Sequence, residues 1–122
     1  MKKKSLKYQL KSFGWALNGL SEFFKNEFKA TTHLFSTIIV IVLGFMLKLS
    51  PIEWCIIIIV IGFVFVTEIL NTAIETISDT IPDKYDKIRG RTKDIAAGAV
   101  LISSVVALII GAIIFLPKIF IQ

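Results

Sequence analysis

Four polar residues recur along one predicted helix at the spacing of a single helical face. Glu68, Asn71, Glu75 and Asp79 are three or four positions apart, so their side chains share one side of an α-helix. The preceding segment is strongly apolar, and a carboxylate at bilayer depth costs roughly 2.5–3.5 kcal/mol on insertion scales. Three acids and an amide where a membrane helix meets water therefore indicate a site for metal-bound polyanions. Such a site points to phosphate chemistry at a membrane surface.

Further polar candidates fall at the same predicted end of the helices. Phosphoryl transfer asks a protein mainly for positioning and charge neutralisation. Glu27 and Glu75 are candidates to hold Mg²⁺, which prefers oxygen ligands. Lys93, which precedes Asp94, is a candidate to neutralise nucleotide phosphates, and Glu68 is placed to take a proton from a lipid hydroxyl. Because the sequence has no glycine-rich phosphate loop, carboxylates, metal and basic side chains must form any nucleotide site.

Each candidate also has a structural interpretation. Glu75 or Asp79 can be a solvated charge at a helix end, and Glu27 can simply oppose the basic residues around it. Lys93 and Asp94 can form an ordinary helix start. Asn71 can bridge two helices by a hydrogen bond. Glu68 is the hardest to explain structurally, because an apolar run precedes it and apolar residues follow.

Composition places the chain in a membrane. It has 122 residues, of which 55% are hydrophobic, and a mean hydropathy of +0.78. Soluble domains have an apolar share of roughly 45–50%. We therefore expect one integral membrane domain over residues 1–122. The single cysteine, Cys55, excludes an intrachain disulfide and is interpreted as a packing residue.

An all-α fold is predicted, with an N-terminal surface helix and three transmembrane helices. The apolar runs are long enough to cross the hydrocarbon core, which takes roughly 20 helical residues. The predicted elements are a surface helix over about 5–25, transmembrane helices over about 30–49, 52–81 and 92–116, and a charged loop over 83–91.

The first helix has leucine and phenylalanine at alternating steps of four and three, with basic and polar residues largely on the other side. This pattern, with Trp15 as an interface anchor, is typical of a helix lying on the inner leaflet. The alternative is a helix of a soluble bundle, but the chain offers no soluble domain to receive it.

Positive charge is distributed unevenly between the two predicted sides of the membrane. Basic residues precede the first span or lie between the second and third spans: Lys2, Lys3, Lys4, Lys7, Lys11, Lys25, Lys29, Lys84, Lys87, Arg89, Arg91 and Lys93. Short basic segments stay in the cytosol, so the N-terminus is predicted to be cytosolic. These residues flank membrane spans and suit anionic lipid headgroups, which argues against nucleic acid as a partner. The lysine-rich start leads into the amphipathic stretch and is not typical of a cleaved signal peptide.

Two segments carry a family resemblance. Residues 68–75 (EILNTAIE) and 93–100 (KDIAAGAV), with Asp79 between them, resemble the signature of the bacterial membrane diacylglycerol kinase family, which includes undecaprenol kinases. The resemblance extends over nearly the whole chain. It implies a homotrimer with sites shared between chains, in the bacterial cytoplasmic membrane, that transfers phosphate from ATP to a lipid hydroxyl with Mg²⁺.

The resemblance also implies roles for individual residues. Glu68 corresponds to the general base, and Asn71 supports it. The remaining candidates correspond to metal carboxylates and nucleotide contacts: Glu27 and Glu75 for Mg²⁺ and nucleotide, Lys93 and Asp94 for nucleotide, and Trp15 where many relatives have a tyrosine near the nucleotide. Asp86 stands at a position often held by histidine.

The lipid substrate is predicted from less specific segments. Residues 49–54 (LSPIEW) and 113–118 (IIFLPK), with His33, are similar to the branch of the family that phosphorylates undecaprenol. Undecaprenol is therefore preferred over diacylglycerol. His33 has no partner cluster in the sequence and is interpreted as an interface residue.

Two other classes of function compete with the kinase. A proton-coupled transporter with Glu68 as proton carrier predicts a lone acid near the middle of the membrane, whereas this acid has polar neighbours at the cytosolic edge. A non-catalytic assembly subunit explains the small residues near position 98 but leaves the acidic face without a purpose.

Overall fold

The computed structural model describes residues 5–121, and all the regular secondary structure within that range is helical. The elements, in chain order, are α1 (Leu6–Asn26), α2 (Phe28–Met46), α3 (Pro51–Ser78), a short 3-10 turn (Asp83–Tyr85) and α4 (Asp86–Phe120). Helices α2, α3 and α4 are each long and apolar enough to cross a membrane. The predicted all-α fold is confirmed for the described residues, with three helices that are candidates to span a membrane. The lysines at positions 2–4, which contributed to the predicted orientation, lie outside the described residues.

A single residue separates α1 from α2. Glu27 is extended (φ −108°, ψ 123°), and its backbone N–H donates to the Phe23 carbonyl at 3.1 Å. Its own carbonyl accepts from Ala30 N at 3.1 Å, so the backbone of Glu27 closes one helix and opens the next. Helix α2 therefore begins earlier than the predicted residue 30, and the chain changes direction at a candidate site residue.

The connection between α2 and α3 is a tight, fully hydrogen-bonded turn. Lys48 N donates to Phe45 O at 3.3 Å, and Leu49 N donates to Gly44 O at 3.1 Å. This is the Schellman pattern of helix ends, in which the residue after the C-cap is left-handed and usually glycine. Here that residue is Lys48, with φ 57°. Helix α2 consequently ends at Met46, before the predicted residue 49.

Replacing Lys48 with glycine is expected to raise the free energy of unfolding by about 0.5–1 kcal/mol, because a left-handed conformation is strained for a residue with a Cβ. The measurement is an unfolding titration in detergent micelles. Lys48→Ala serves as the control, since it removes the charge but keeps the Cβ. A stabilisation by alanine equal to that by glycine would contradict the backbone explanation.

Helix α3 begins with a capping box. Ser50 Oγ accepts from Glu53 N at 3.2 Å, and Glu53 Oε1 accepts from Ser50 N at 2.9 Å. Pro51 occupies the first helical position, where its missing N–H costs nothing. Close to this turn, a Cβ built on Gly44 would lie 2.6 Å from the Trp54 ring, so glycine permits the ring to pack on α2.

Helix α4 is longer than predicted at both ends. It begins at Asp86, not near residue 92, so most of the predicted charged loop is helical. Charged residues do not oppose a helix here, because the acid lies near the positive end of the dipole and Arg89 pairs with Asp86 one turn later. Arg89 also donates to the Ile81 carbonyl at 3.0 Å, which secures the end of the preceding turn. Helix α3 itself ends at Ser78 instead of residue 81.

The predicted stop at Pro117 is also incorrect, since α4 continues to Phe120. Proline has no backbone N–H, so one i→i−4 hydrogen bond is missing from the final turns of α4. The Pro117 carbonyl still accepts from Ile121 N at 2.9 Å.

Most packing joins α3 to α4, with α2 lying against α3. A small core of Leu49, Ile57 and Ile114 lies toward the α2–α3 turn. Many large apolar side chains remain exposed on all three long helices, and only 11–17% of each candidate membrane span is buried within the chain. A surface of this composition is suited to lipid or to further helices and not to water.

Candidate active site at one end of the helices

Glu68 is a buried carboxylate on α3, ten residues before that helix ends, on the side toward the end of the molecule where α2 and α4 begin. Its exposed fraction is 4%, and its Oε2 lies 2.8 Å from Nε2 of His33 on α2. Its other oxygen, Oε1, is buried and has no hydrogen-bond partner among the described residues. An unpaired buried carboxylate oxygen is costly, which points to a ligand or a further chain as its missing partner.

Asn71 and Glu75 continue the same face of α3. Asn71 is 2% exposed, and its amide nitrogen donates to Glu75 Oε2 at 3.3 Å, one turn further on. The same carboxylate oxygen lies 3.6 Å from Lys29 Nζ on α2. Two buried oxygens beside this pair, Asn71 Oδ1 and Thr72 Oγ1, have no described partner. The polar face predicted from the sequence is therefore present, and its hydrogen-bonding capacity is only partly used.

Asp79 pairs with a base from the next helix. Lys93 Nζ on α4 donates to Asp79 Oδ1 at 2.7 Å. Acids near the C-terminus of a helix are disfavoured by the helix dipole, so Glu75 and Asp79 lie where carboxylates are electrostatically unfavourable. Lys29 and Lys93 offset that repulsion. This end of the molecule thus places alternating acidic and basic side chains from three helices next to one another.

A hydroxyl pair ties α3 to α4 next to Glu68. Thr67 Oγ1 and Ser103 Oγ are 2.8 Å apart, and each also lies 2.9 Å from a carbonyl oxygen on its own helix, Val64 and Val100 respectively. The two hydroxyl groups have only two protons for these three contacts, so one of the protons must be shared between two acceptor oxygens. Ser103 is fully buried.

A double-mutant cycle with Thr67→Ala and Ser103→Ala is expected to give a coupling energy of about 0.6 kcal/mol, the average for interhelical hydrogen bonds in a membrane. The measurement is unfolding in micelles for the wild type, both single variants and the double variant. Strictly additive effects would show that the hydroxyl pair does not join the two helices.

Three predicted site residues are not drawn into this cluster. Glu27 is half-buried, and its side chain provides no cap to α2. Asp94 is exposed and forms no hydrogen bond or ion pair with a described residue. Trp15 is exposed on α1 and packs edge-to-face on Tyr8 at 5.9 Å. In residues 5–121, no three His, Cys, Asp or Glu side chains come together as a metal site.

His33 is the contact that sequence reasoning missed. The sequence offers it no partner, but in the structure its Nε2 lies 2.8 Å from the buried Glu68 Oε2. Its partner is 35 positions away on another helix, so no local spacing reports the contact. Asp86, by contrast, pairs with Arg89 in the first turn of α4.

The helices and this polar end define a class of protein: a small helical membrane protein whose acidic and basic side chains meet at one end of its spanning helices. The sequence model described as prokaryotic diacylglycerol kinase matches residues 14–115. Undecaprenol kinase of Bacillus subtilis is 44% identical over 108 residues, which cover 88% of each chain.

Two relatives named diacylglycerol kinase are more distant. That of Escherichia coli K12 is 32% identical over 82% of each chain. That of Haemophilus influenzae is 33% identical over 90% of this chain and 94% of the relative. The chain belongs to the prokaryotic diacylglycerol kinase family, and it is a lipid kinase, a phosphotransferase with an alcohol acceptor.

Proposed function

We propose that this protein transfers the γ-phosphoryl group of ATP to the primary hydroxyl of a membrane lipid, with Glu68 as the general base. One observation carries the proposal: Glu68 is buried beside apolar residues, yet Oε1 has no hydrogen-bond partner within residues 5–121. An ionised carboxylate is an acceptor only, so a hydroxyl donor suits this vacant position. The carboxylate lies ten residues before the end of α3, between the apolar part of the helix and the polar residues Glu75 and Asp79, so a lipid hydroxyl can meet a water-soluble nucleotide there.

The reaction follows from that placement. The lipid O–H proton passes to Glu68 Oε1 as the lipid oxygen bonds to the γ-phosphorus. The bond from that phosphorus to the bridging oxygen breaks, and ADP leaves. Asn71 holds Glu75 in place through its amide, and Lys93 and Asp94 contact the nucleotide. Because phosphoryl transfer asks for little covalent chemistry from protein, correct positioning and charge supply most of the rate.

Mg²⁺ fits the donor set at this end of the molecule. Mg²⁺ is commonly bound by one or two carboxylates together with substrate phosphates, and it does not need a complete cage of protein ligands. Glu75 offers carboxylate oxygens next to Asn71 and Thr72, whose side-chain oxygens have no described hydrogen-bond partner. Glu75 and Glu27 would hold the ion, which would neutralise charge on the transferring phosphates.

A homotrimer would complete the sites. Many large apolar side chains of α2, α3 and α4 remain exposed in a single chain. Three buried polar atoms, one each on Glu68, Asn71 and Thr72, also lack described partners. Within one chain, three candidate residues lie apart from the polar cluster: Glu27, Asp94 and Trp15. In a trimer they would contribute to sites that are shared with a neighbouring chain. Chemical cross-linking and native mass spectrometry in micelles test this arrangement.

The orientation follows from the basic residues. The polar end carries Lys29 and Lys93, so it would face the cytosol of a bacterial cell, with the N-terminus on the same side. Helix α1 exposes Leu10, Phe13 and Leu17. These side chains would insert into the inner leaflet of the cytoplasmic membrane, in the manner of an interfacial helix.

Undecaprenol is the favoured lipid, and diacylglycerol is the alternative. The relative named undecaprenol kinase is more similar to this chain than the quoted relatives named diacylglycerol kinase. The test is a side-by-side assay of purified protein with undecaprenol and with diacylglycerol in mixed micelles containing ATP and Mg²⁺. Faster phosphorylation of undecaprenol is expected. Phosphorylation of diacylglycerol alone would reverse the assignment, and ATP hydrolysis without a lipid product would refute a lipid acceptor.

A further inference from the structure

The contact between His33 and Glu68 has a defined direction. As the base of the proposed reaction, Glu68 is ionised and cannot donate, so in that state the proton of the 2.8 Å contact is carried by His33 Nε2. A hydrogen bond to an ionised acceptor is roughly twice as strong as one between neutral groups. His33 therefore donates from α2 to a base on α3, and the neighbouring α2–α3 polar contact, from Lys29 to Glu75, is longer at 3.6 Å.

The two oxygens of Glu68 are made unequal by this bond. Oε2 accepts from the imidazole, while Oε1 is buried without a described partner. A carboxylate free to rotate would present either oxygen to a substrate. With Oε2 occupied, rotation is restricted and Oε1 is the oxygen left to accept a proton.

The imidazole is itself held by aromatic packing. Its ring lies 6.1 Å from Phe65, one turn before Glu68 on α3, in an edge-to-face arrangement. Phe65 in turn packs against Phe24 of α1 at 5.7 Å. The ring also borders an apolar cavity of about 610 Å³ that extends along α4 to Leu116. His33 thus stands between the apolar cavity and the buried base.

We propose that His33 is a positioning residue for phosphate transfer: it donates from Nε2 to Oε2 of Glu68 and so keeps Oε1 aimed at the lipid hydroxyl. This inference rests on the proposed function of Glu68 as base. Reacting groups must be aligned closely, and a displacement of about 1 Å can cost a hundredfold in rate. His33 need not touch the substrate to have such an effect.

Three variants test the donor. His33→Gln places an amide nitrogen near the position of Nε2, His33→Asn carries the same amide on a shorter side chain, and His33→Phe keeps a ring without a donor. The expected kcat falls about 10–100-fold in His33→Phe and in His33→Asn, with the KM for lipid and ATP little changed. His33→Gln is expected to retain most of the wild-type kcat. Equal losses in His33→Gln and His33→Phe, or an unchanged kcat in His33→Phe, would overturn the proposal.

A second measurement reports the contact without turnover. His33 is the only histidine in the chain, so ¹⁵N-labelled imidazole gives one set of resonances. Protonation at Nε2 is expected, with an Nε2–H resonance that moves upfield in Glu68→Gln because the charge on the acceptor is lost. An identical spectrum in that variant would refute the contact. If the wild type phosphorylates no lipid, the proposed function fails, and the imidazole spectrum alone then decides whether His33 holds Glu68.

Discussion

Replacing Glu68 with glutamine is expected to lower the rate of lipid phosphorylation by about 10²–10⁴-fold, the contribution typical of a general base. Glutamine has the same shape and still accepts from His33 Nε2, but its amide cannot take a proton from the lipid hydroxyl. The measurement is transfer of labelled phosphate from ATP to lipid in mixed micelles. Because one oxygen of the buried carboxylate has no partner in the described part of the chain, the variant is expected to be at least as resistant to thermal unfolding as the wild type.

A matched control for Glu68 lies on α1. Glu22 is exposed and accepts from Asn26 Nδ2 at 2.9 Å, one turn away on its own helix. Glu22→Gln makes the same chemical change outside the polar cluster and should leave the rate unchanged. Wild-type turnover in a folded Glu68→Gln protein would remove Glu68 from the reaction.

The second large effect is expected at Glu75. Its carboxylate is the proposed metal and nucleotide ligand, and Glu75→Gln should lower kcat/KM at least about a hundredfold, a loss of roughly 2.7 kcal/mol of transition-state stabilisation. The amide is a weaker ligand for Mg²⁺, so the variant should also need more Mg²⁺ to reach half its maximal rate. The measurement is initial rate against Mg²⁺ concentration at fixed ATP.

Because Glu75 lies in an unfavourable position in the helix dipole, the Glu75→Gln variant also predicts an effect on the stability of α3. Removal of an acid from the C-terminal part of α3 should not destabilise the helix, although it leaves Lys29 without its partner. A lower rate with an unchanged Mg²⁺ requirement would show that Glu75 contributes through Lys29 or Asn71 and not through metal. An unchanged rate would exclude Glu75 from the site.

Local spacing predicted the part of the site that lies on one helix. Glu68, Asn71 and Glu75 share a face because a helix repeats every 3.6 residues, and the Asn71–Glu75 hydrogen bond is a direct result of that repeat. The three long helices were predictable because a helix that crosses lipid needs a long, continuous run of apolar residues. The spacing of residues along one helix does not predict how the helices are rotated and shifted relative to one another. That is why the contact of His33 with Glu68 and that of Lys93 with Asp79 emerged only from the fold.

The misplaced helix boundaries have a common cause. Charge and proline were interpreted as signs of a loop, but both are compatible with helix ends outside the lipid. Asp86 and Arg89 support the first turn of α4, and Pro117 lies in its final turns. The boundary between α1 and α2 also differs from the prediction, because Glu27 alone separates the two helices.

The central claim is that the polar end of this protein transfers phosphate to lipid from the cytosolic side. It is tested most directly in proteoliposomes of a variant with Cys55→Ser and Asp83→Cys. A thiol reagent that cannot cross membranes reports which side exposes position 83, next to the polar end. With labelled ATP supplied to one side only, phosphorylated lipid is expected solely from protein whose position 83 faces the nucleotide. Labelling from each side should therefore be proportional to the fraction of protein whose position 83 is exposed on that side. Labelling that is independent of this fraction, or that is proportional to the opposite orientation, would contradict the assignment.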